Sequence, residues 1–134
     1  MIPPSFATTP AQDQKLSLRC HEAVSAVLAH EANEQAVRGC QSELLVALVL
    51  HKIATKEPKQ HQVPPEQLQA LLPDLETTAR AVSEVARRFR ETGKVGCTAE
   101  QRQGILLLPE IMDAMRAALP RRLWLRAYRE AYRR

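Results

Sequence analysis

Hydrophobic residues recur at helical spacing along most of this chain, but residues 44–50 form an unbroken apolar run. Seven apolar residues in a row cover every face of a helix, so the segment cannot lie half-exposed on a surface. At 1.5 Å rise per residue the run spans about 10 Å, a third of a bilayer core, which excludes a transmembrane helix. Val46 and Val49 favour a buried strand as the alternative. Continuation through Ile53 and Ala54, with helical periodicity on both sides, favours a helix.

We therefore predict a buried central helix over residues 42–55, onto which the other helices pack with single apolar stripes. Its side chains at Leu45, Leu48 and Val49 should be nearly inaccessible to solvent. Gly39 is a natural helix breaker and predicts that the central helix begins after it, at Gln41 or Ser42.

A first helix is predicted from Ala11 or Gln12 to about Asn33, after an N-terminal arm over residues 1–10 that is rich in proline. Thr9 followed by Pro10 is a suitable start, because proline is favoured at the first helical position. One apolar stripe on a period of 3.6 residues is formed by Leu16, Cys20, Ala23, Val24, Val27 and Leu28.

Two further helices follow a polar, proline-bounded loop over residues 56–64. A short one is predicted over residues 65–72 and a long one over residues 73–92, ended by Gly93 at the C′ position. The long helix carries an apolar stripe of Leu75, Ala79, Val82, Val85, Ala86 and Phe89.

The next helix begins at Thr98, because Gln101 three residues later completes a capping-box pattern. Pro109 lies in its middle and predicts a kink or a short break near residues 107–108. Pro120 ends this segment, and a last helix is predicted over residues 121–132. Together these segments predict an all-α, single compact bundle-like domain over residues 11–134, with five to six helices.

Composition agrees with this architecture, since aromatic residues and glycine are scarce. Cys20, Cys40 and Cys97 are an odd number of widely separated cysteines without a CxxC pair, which is typical of reduced thiols in a cytoplasmic protein. The N-terminus has neither a basic region nor an apolar core, so no signal peptide is expected.

The charge is concentrated at one end of the chain. The net charge is +4, and residues 121–134 carry six arginines against Glu130, a local charge of +5 that leaves −1 for the rest. Arginine binds phosphate bidentately, so these residues predict contact with an anionic partner. The candidate nucleic-acid-binding residues are Arg121, Arg122, Arg126, Arg129, Arg133 and Arg134.

Three aromatic residues interleave with these arginines. Trp124, Tyr128 and Tyr132 share one face of the last helix and are candidates for contact with a partner or, alternatively, for anchoring the helix to the bundle. We expect Arg122, Arg126, Arg129 and Arg133 to lie along a neighbouring exposed side.

Two functions remain open on this basis. The first is a small non-enzymatic regulatory or accessory protein that binds nucleic acid, DNA or RNA, through its arginine-rich C-terminal helix. The second is a protein-binding adaptor, inhibitor or chaperone-like module that acts through a helical surface, with an acidic protein or lipid surface as the anionic partner. Exposed arginines favour the first, whereas arginines paired with carboxylates of the body favour the second. Apolar residues 105–108, next to Pro109, favour a homodimer.

No catalytic, cofactor or metal site is expected. His21 and His30 are nine residues apart and point to opposite sides of the first helix, unlike the ligands of an HExxH motif. Cys97 and the histidines lack the strand-to-helix context of an activated nucleophile. Residues 93–98 lack the GxxxxGK[ST] spacing of a phosphate loop. A helix-turn-helix over residues 65–92 is disfavoured, because the second helix begins with Asp74 and Glu76, which phosphates would repel.

Overall fold

A computed structural model describes residues 10–29 and 34–133 of the chain. This part contains six α-helices, one 3-10 helix at Pro58–Gln60, and no strand. The all-α prediction is therefore confirmed. In chain order the α-helices are α1 (Pro10–Leu28), α2 (Glu34–Lys56), α3 (Pro65–Ala70), α4 (Leu72–Thr92), α5 (Ala99–Ala118) and α6 (Arg121–Ala131).

Four long helices form the bundle, and two more elements complete it. Around the bundle α1 contacts α2, α2 contacts α4, α4 contacts α5, and α5 closes the ring on α1. The last helix, α6, packs on α2, and the short α3 bridges α2 and α4. Because α2 contacts every other helix of the described chain, it occupies the centre that its apolar run predicts.

The start of α2 differs from the sequence prediction, because the helix runs through Gly39 and begins at Glu34. A Cβ atom at position 39 would lie 3.2 Å from the Cβ atom of Ala23 on α1. The glycine therefore allows a close approach of the two helices. Glycine in a helix interior costs about 1 kcal/mol of helix stability relative to alanine. Close packing of α1 on α2 at this position offsets that cost.

The prediction that α2 is covered on all sides is wrong at Leu48, whose exposed fraction is 40%. Val49 is buried as predicted, whereas Leu45 is only half-buried. Leu48 and Leu45 lie three residues apart on the same strip of α2 as the exposed Gln41 and Lys52. The surrounding helices leave this one strip open, so an unbroken apolar run does not require a neighbour on every side.

Three helix ends follow the sequence prediction closely. Gly93 has φ 70° and its N–H donates to the Phe89 carbonyl, which is a left-handed C-cap of α4. Thr98 and Gln101 form both bonds of the capping box, at 3.0 and 3.1 Å. The first helix starts at Pro10, one residue earlier than predicted. Its end is different, because α1 stops at Leu28, about five residues before the predicted Asn33. Residues 1–9 of the predicted N-terminal arm, Asn33 and the side chain of Leu16 lie outside the described residues.

The sequence predicts a kink or a short break near residues 107–108, and the break is absent, because α5 is continuous from Ala99 to Ala118 with Pro109 inside it. The kink stays a prediction. Proline removes one helical hydrogen bond, and burial of the surrounding apolar face compensates for that loss. Gly104, also on α5, faces α4 so closely that an added Cβ atom would lie 2.7 Å from the Cβ atom of Ala81. This contact explains why a glycine stands in the middle of the helix.

The apolar segment before Pro109 contributes mainly to the core. Ile105 and Leu108 are buried, Leu107 is half-buried, and only Leu106 is largely exposed.

Among the described helices, none is both long and apolar enough to cross a membrane.

Candidate nucleic-acid interface

The C-terminal helix α6 is held to the bundle by one continuous apolar face. Its buried residues turn towards α2, which supplies most of its contacts. They are Leu123, Trp124, Leu125, Ala127, Tyr128 and Ala131. The opposite face consists almost entirely of arginine, so the packing presents the basic residues to solvent.

A buried polar contact adds to this packing. The hydroxyl of Tyr128 donates a hydrogen bond to Oε2 of Glu43 on α2, at 3.1 Å. The side chain of Glu43 is almost fully buried, with an exposed fraction of 2%. In the sequence, Glu43 is a polar residue directly before the apolar run. One signal predicts its burial, because it lies four residues before Ala47 and therefore on the same inner face of α2.

The surroundings of Glu43 carry positive charge. Burial raises the pKa of its carboxyl group, and the Tyr128 hydrogen bond, the Arg116 guanidinium and Arg19 oppose that shift. The three guanidinium nitrogens of Arg116 are themselves covered and make no hydrogen bond. The same burial, together with the charge of Glu43, raises the pKa of Tyr128 far above its usual value. The phenol therefore remains a hydrogen-bond donor under physiological conditions.

Most of the predicted arginines lie where a partner could reach them. Arg121, Arg122, Arg129 and Arg133 are exposed, whereas Arg126 is only partly exposed. The side chain of Arg134 lies outside the described residues.

Two of these arginines also bind the loop that follows α2. Arg122 donates from Nη2 to the backbone carbonyl of Gln60 at 2.6 Å and lies 3.5 Å from its Oε1 atom. Arg126 forms ion pairs with Glu57 at 2.8 Å and with Glu130 at 3.6 Å. Hydrogen bonding by Arg126 lowers the pKa of Glu57. The loop over residues 57–60 is thereby fixed against α6.

Two further cations adjoin the docked residues in the chain. Lys56, the last residue of α2, and Lys59 in the docked loop flank Glu57 and Pro58, and both lysines are exposed. Sequence reasoning placed these lysines in a polar loop without linking them to the C-terminal arginines. The link depends on a contact between residues about sixty positions apart, which no local pattern reveals.

The aromatic residues divide into two groups. Trp124 and Tyr128 are buried and meet edge to face, with ring centroids 6.4 Å apart. Tyr132 is 55% exposed and stacks on Tyr128 with ring centroids 6.2 Å apart. The covered pair anchors α6, and Tyr132 is the aromatic ring of this helix that a partner could contact. Partner binding by the three residues stays a prediction.

The cysteines and the possible metal ligands are the remaining candidate groups. The three cysteines are free thiols, and burial raises the pKa of each, to about 12 for Cys40. At neutral pH they are protonated and therefore poor nucleophiles. The described residues contain no group of three His, Cys, Asp or Glu side chains arranged to hold a metal ion.

The sequence matches no protein-family model, and no curated protein or solved structure is significantly similar to it.

Proposed function

We propose that this protein binds nucleic acid through a basic surface formed by α6 and the loop that follows α2, in a non-enzymatic regulatory or accessory role. The basic surface comprises Lys56, Lys59, Arg121, Arg122, Arg129 and Arg133, all of them exposed. The observation that carries the proposal is the contact of Arg122 with the Gln60 carbonyl.

This contact has two consequences for binding. A carbonyl is a neutral acceptor, so Arg122 is held in place without losing its positive charge. The contact also fixes the chain next to Lys59 against α6, which supports a single set of cations that exists before any ligand binds. A prearranged set of cations loses less side-chain entropy when it binds a row of phosphates.

Counterion release makes the proposal quantitative. Each phosphate neutralised by a lysine or arginine contributes about 0.7 to 0.9 to the slope of log affinity against log salt concentration. A surface of this size should give strong binding at low salt and a steep loss as salt rises.

The test is a fluorescence-anisotropy titration with labelled random-sequence DNA and RNA, single-stranded and duplex, at several salt concentrations. The variant Arg129→Glu with Arg133→Glu should weaken binding by orders of magnitude and reduce the salt slope by about 1.4 to 1.8, the contribution of two phosphate contacts. Its melting temperature should stay close to that of the parent, because exposed charges contribute little to stability.

A matched control is Arg87→Glu with Arg90→Glu, which changes the net charge equally on the exposed face of α4. This control should bind almost as well as the parent. Equal losses in both double variants would show that total charge, and not this surface, governs binding. Failure of the parent to bind at low salt would overturn the proposal.

Protein binding is the second candidate, and Arg126 favours it. Its two carboxylate partners belong to the protein itself, so one of the predicted arginines is committed to internal pairing. The exposed Leu48 on α2 adds an apolar contact point for a partner helix. A cytoplasmic location, which the unpaired cysteines favour, and a homodimer belong to the same proposal.

A further inference from the structure

A pocket of about 240 Å³ opens between the end of α2, the following loop and α3. Most of its wall is apolar, with proline rings and aliphatic side chains, and two histidines contribute the ring nitrogens. Its principal apolar lining residues are Ala54, Pro58, Val63, Pro65, Leu68 and Leu72.

The imidazole ring of His61 lines this pocket and is held in one orientation by two hydrogen bonds. Its Nε2 atom lies 2.7 Å from the carbonyl oxygen of Ala54, and its Nδ1 atom lies 3.0 Å from the backbone nitrogen of Val63. A carbonyl can only accept and a backbone N–H can only donate, so Nε2 carries the proton and Nδ1 its lone pair. Both nitrogens are used for holding the neutral ring, which leaves the ring face for contact with a ligand.

His51 is held differently and offers a hydrogen-bond acceptor. Its Nε2 atom donates to the Leu68 carbonyl at 2.6 Å, which leaves the lone pair on Nδ1 in the neutral ring. Among the described residues no donor reaches that nitrogen. Gln69, which also lines the pocket and is exposed, provides an amide that can both donate and accept.

The pocket and the basic surface share one stretch of chain. Thr55 and Pro58 line the pocket, and they are followed directly in sequence by Lys56 and Lys59, respectively. The next residue, Gln60, is the one that Arg122 binds. Both lysines are thus one residue along the chain from the pocket lining, which supports contact between them and a phosphate attached to a ligand in the pocket.

We infer that this pocket receives a single unstacked base of a single-stranded nucleic acid whose phosphates lie on the basic surface. The inference depends on the proposed function and specifies its substrate class. Proteins that recognise single strands stack splayed bases on rings, including histidine, and bind the base edges by hydrogen bonds. The pocket is smaller than the 300 to 1,000 Å³ typical of drug-sized ligands, which suits one flat heteroaromatic ring. A duplex could fill it only by flipping a base out of its stack.

The first experiment uses free nucleosides, which carry no phosphate and so report on the pocket without the basic surface. Adenosine, guanosine, cytidine and uridine at millimolar concentration should shift the amide NMR signals of Val63, Leu68 and Gln69 in the full chain. Ribose, which has no base, should not. Shifts with ribose as large as those with nucleosides, or none with any nucleoside, would overturn the inference.

The second experiment fills the pocket. Leu72 lines the pocket and is 39% exposed, so Leu72→Trp can place an indole in the pocket. The matched control is Leu106→Trp on α5, because Leu106 is 45% exposed and does not line the pocket. Leu72→Trp should abolish the nucleoside shifts and weaken single-strand binding by about 5- to 150-fold, the range reported for one stacked base. Duplex binding should not change. Circular dichroism and thermal melting establish that both variants are folded.

The outcomes separate this inference from the proposed function. Loss of single-strand binding in Leu72→Trp, but not in Leu106→Trp, supports the pocket. Equal single-strand affinity in the two tryptophan variants would overturn it, while the salt-dependent loss in Arg129→Glu with Arg133→Glu would still support the proposed function. Nucleoside shifts in a protein that binds no strand at any salt concentration would overturn both.

Discussion

The hydroxyl of Tyr128 on α6 donates to the carboxylate of Glu43 on α2, at 3.1 Å, inside the core of the bundle. This bond joins the helix that presents the arginines to the central helix of the domain. A buried hydrogen bond depends strongly on direction, so together with the apolar face of α6 it fixes the rotation of this helix about its axis. The arginine face is thereby kept towards solvent.

Removing the hydroxyl should destabilise the protein. Tyr128→Phe leaves the buried Glu43 carboxylate without its donor, and we expect the free energy of unfolding to fall by about 1–3 kcal/mol in urea denaturation. Tyr132→Phe is the matched control, because this ring is mostly exposed, and it should change the free energy of unfolding by less than about 0.5 kcal/mol. Equal effects of the two substitutions would contradict a structural role for the Tyr128–Glu43 bond.

The same carboxyl group predicts a pH dependence. Burial raises the pKa of Glu43 above its ordinary value of 4.5, so the folded chain holds this proton more tightly than the unfolded chain does. The resulting stabilisation is complete below the unfolded pKa and is lost as pH rises through the folded pKa. Parent stability measured relative to Glu43→Gln, which cannot titrate, should therefore decrease as pH rises above about 4.5. A relative stability that instead increases with pH would mean that Arg116 and Tyr128 outweigh the cost of burial.

Two leucines of α2 test how the central helix is covered. Leu50 is fully buried and Leu48 is 40% exposed, although the two leucines are only two positions apart in the chain. Leu50→Ala should lower the free energy of unfolding by about 2–5 kcal/mol, because it removes buried methyl groups and leaves a cavity. Leu48→Ala should lower it by less than about 1 kcal/mol. A loss at Leu48 as large as that at Leu50 would indicate that another surface covers Leu48 in solution, as a dimer would.

Local sequence determined the helices and several of their ends. Gly93 terminates α4 and the Thr98–Gln101 capping box starts α5 because these signals act within one turn of the chain. The amphipathic pattern of α6, with aromatic residues inside and arginines outside, also follows from helical spacing alone. For the same reason the all-α class and the basic character of the C-terminal helix were predictable.

Tertiary structure decided which faces are covered and which distant residues meet. The close approach of Ala23 accounts for a glycine at position 39 inside α2. Leu48 is exposed because no other helix of the described residues covers its strip of α2. Burial of Glu43 and the docking of the loop by Arg122 depend on side chains far away in sequence. Periodicity shows which residues share a helix face, whereas the relative placement of the helices determines what that face contacts. Only this placement docks the loop that contains Lys59 against the arginines of α6.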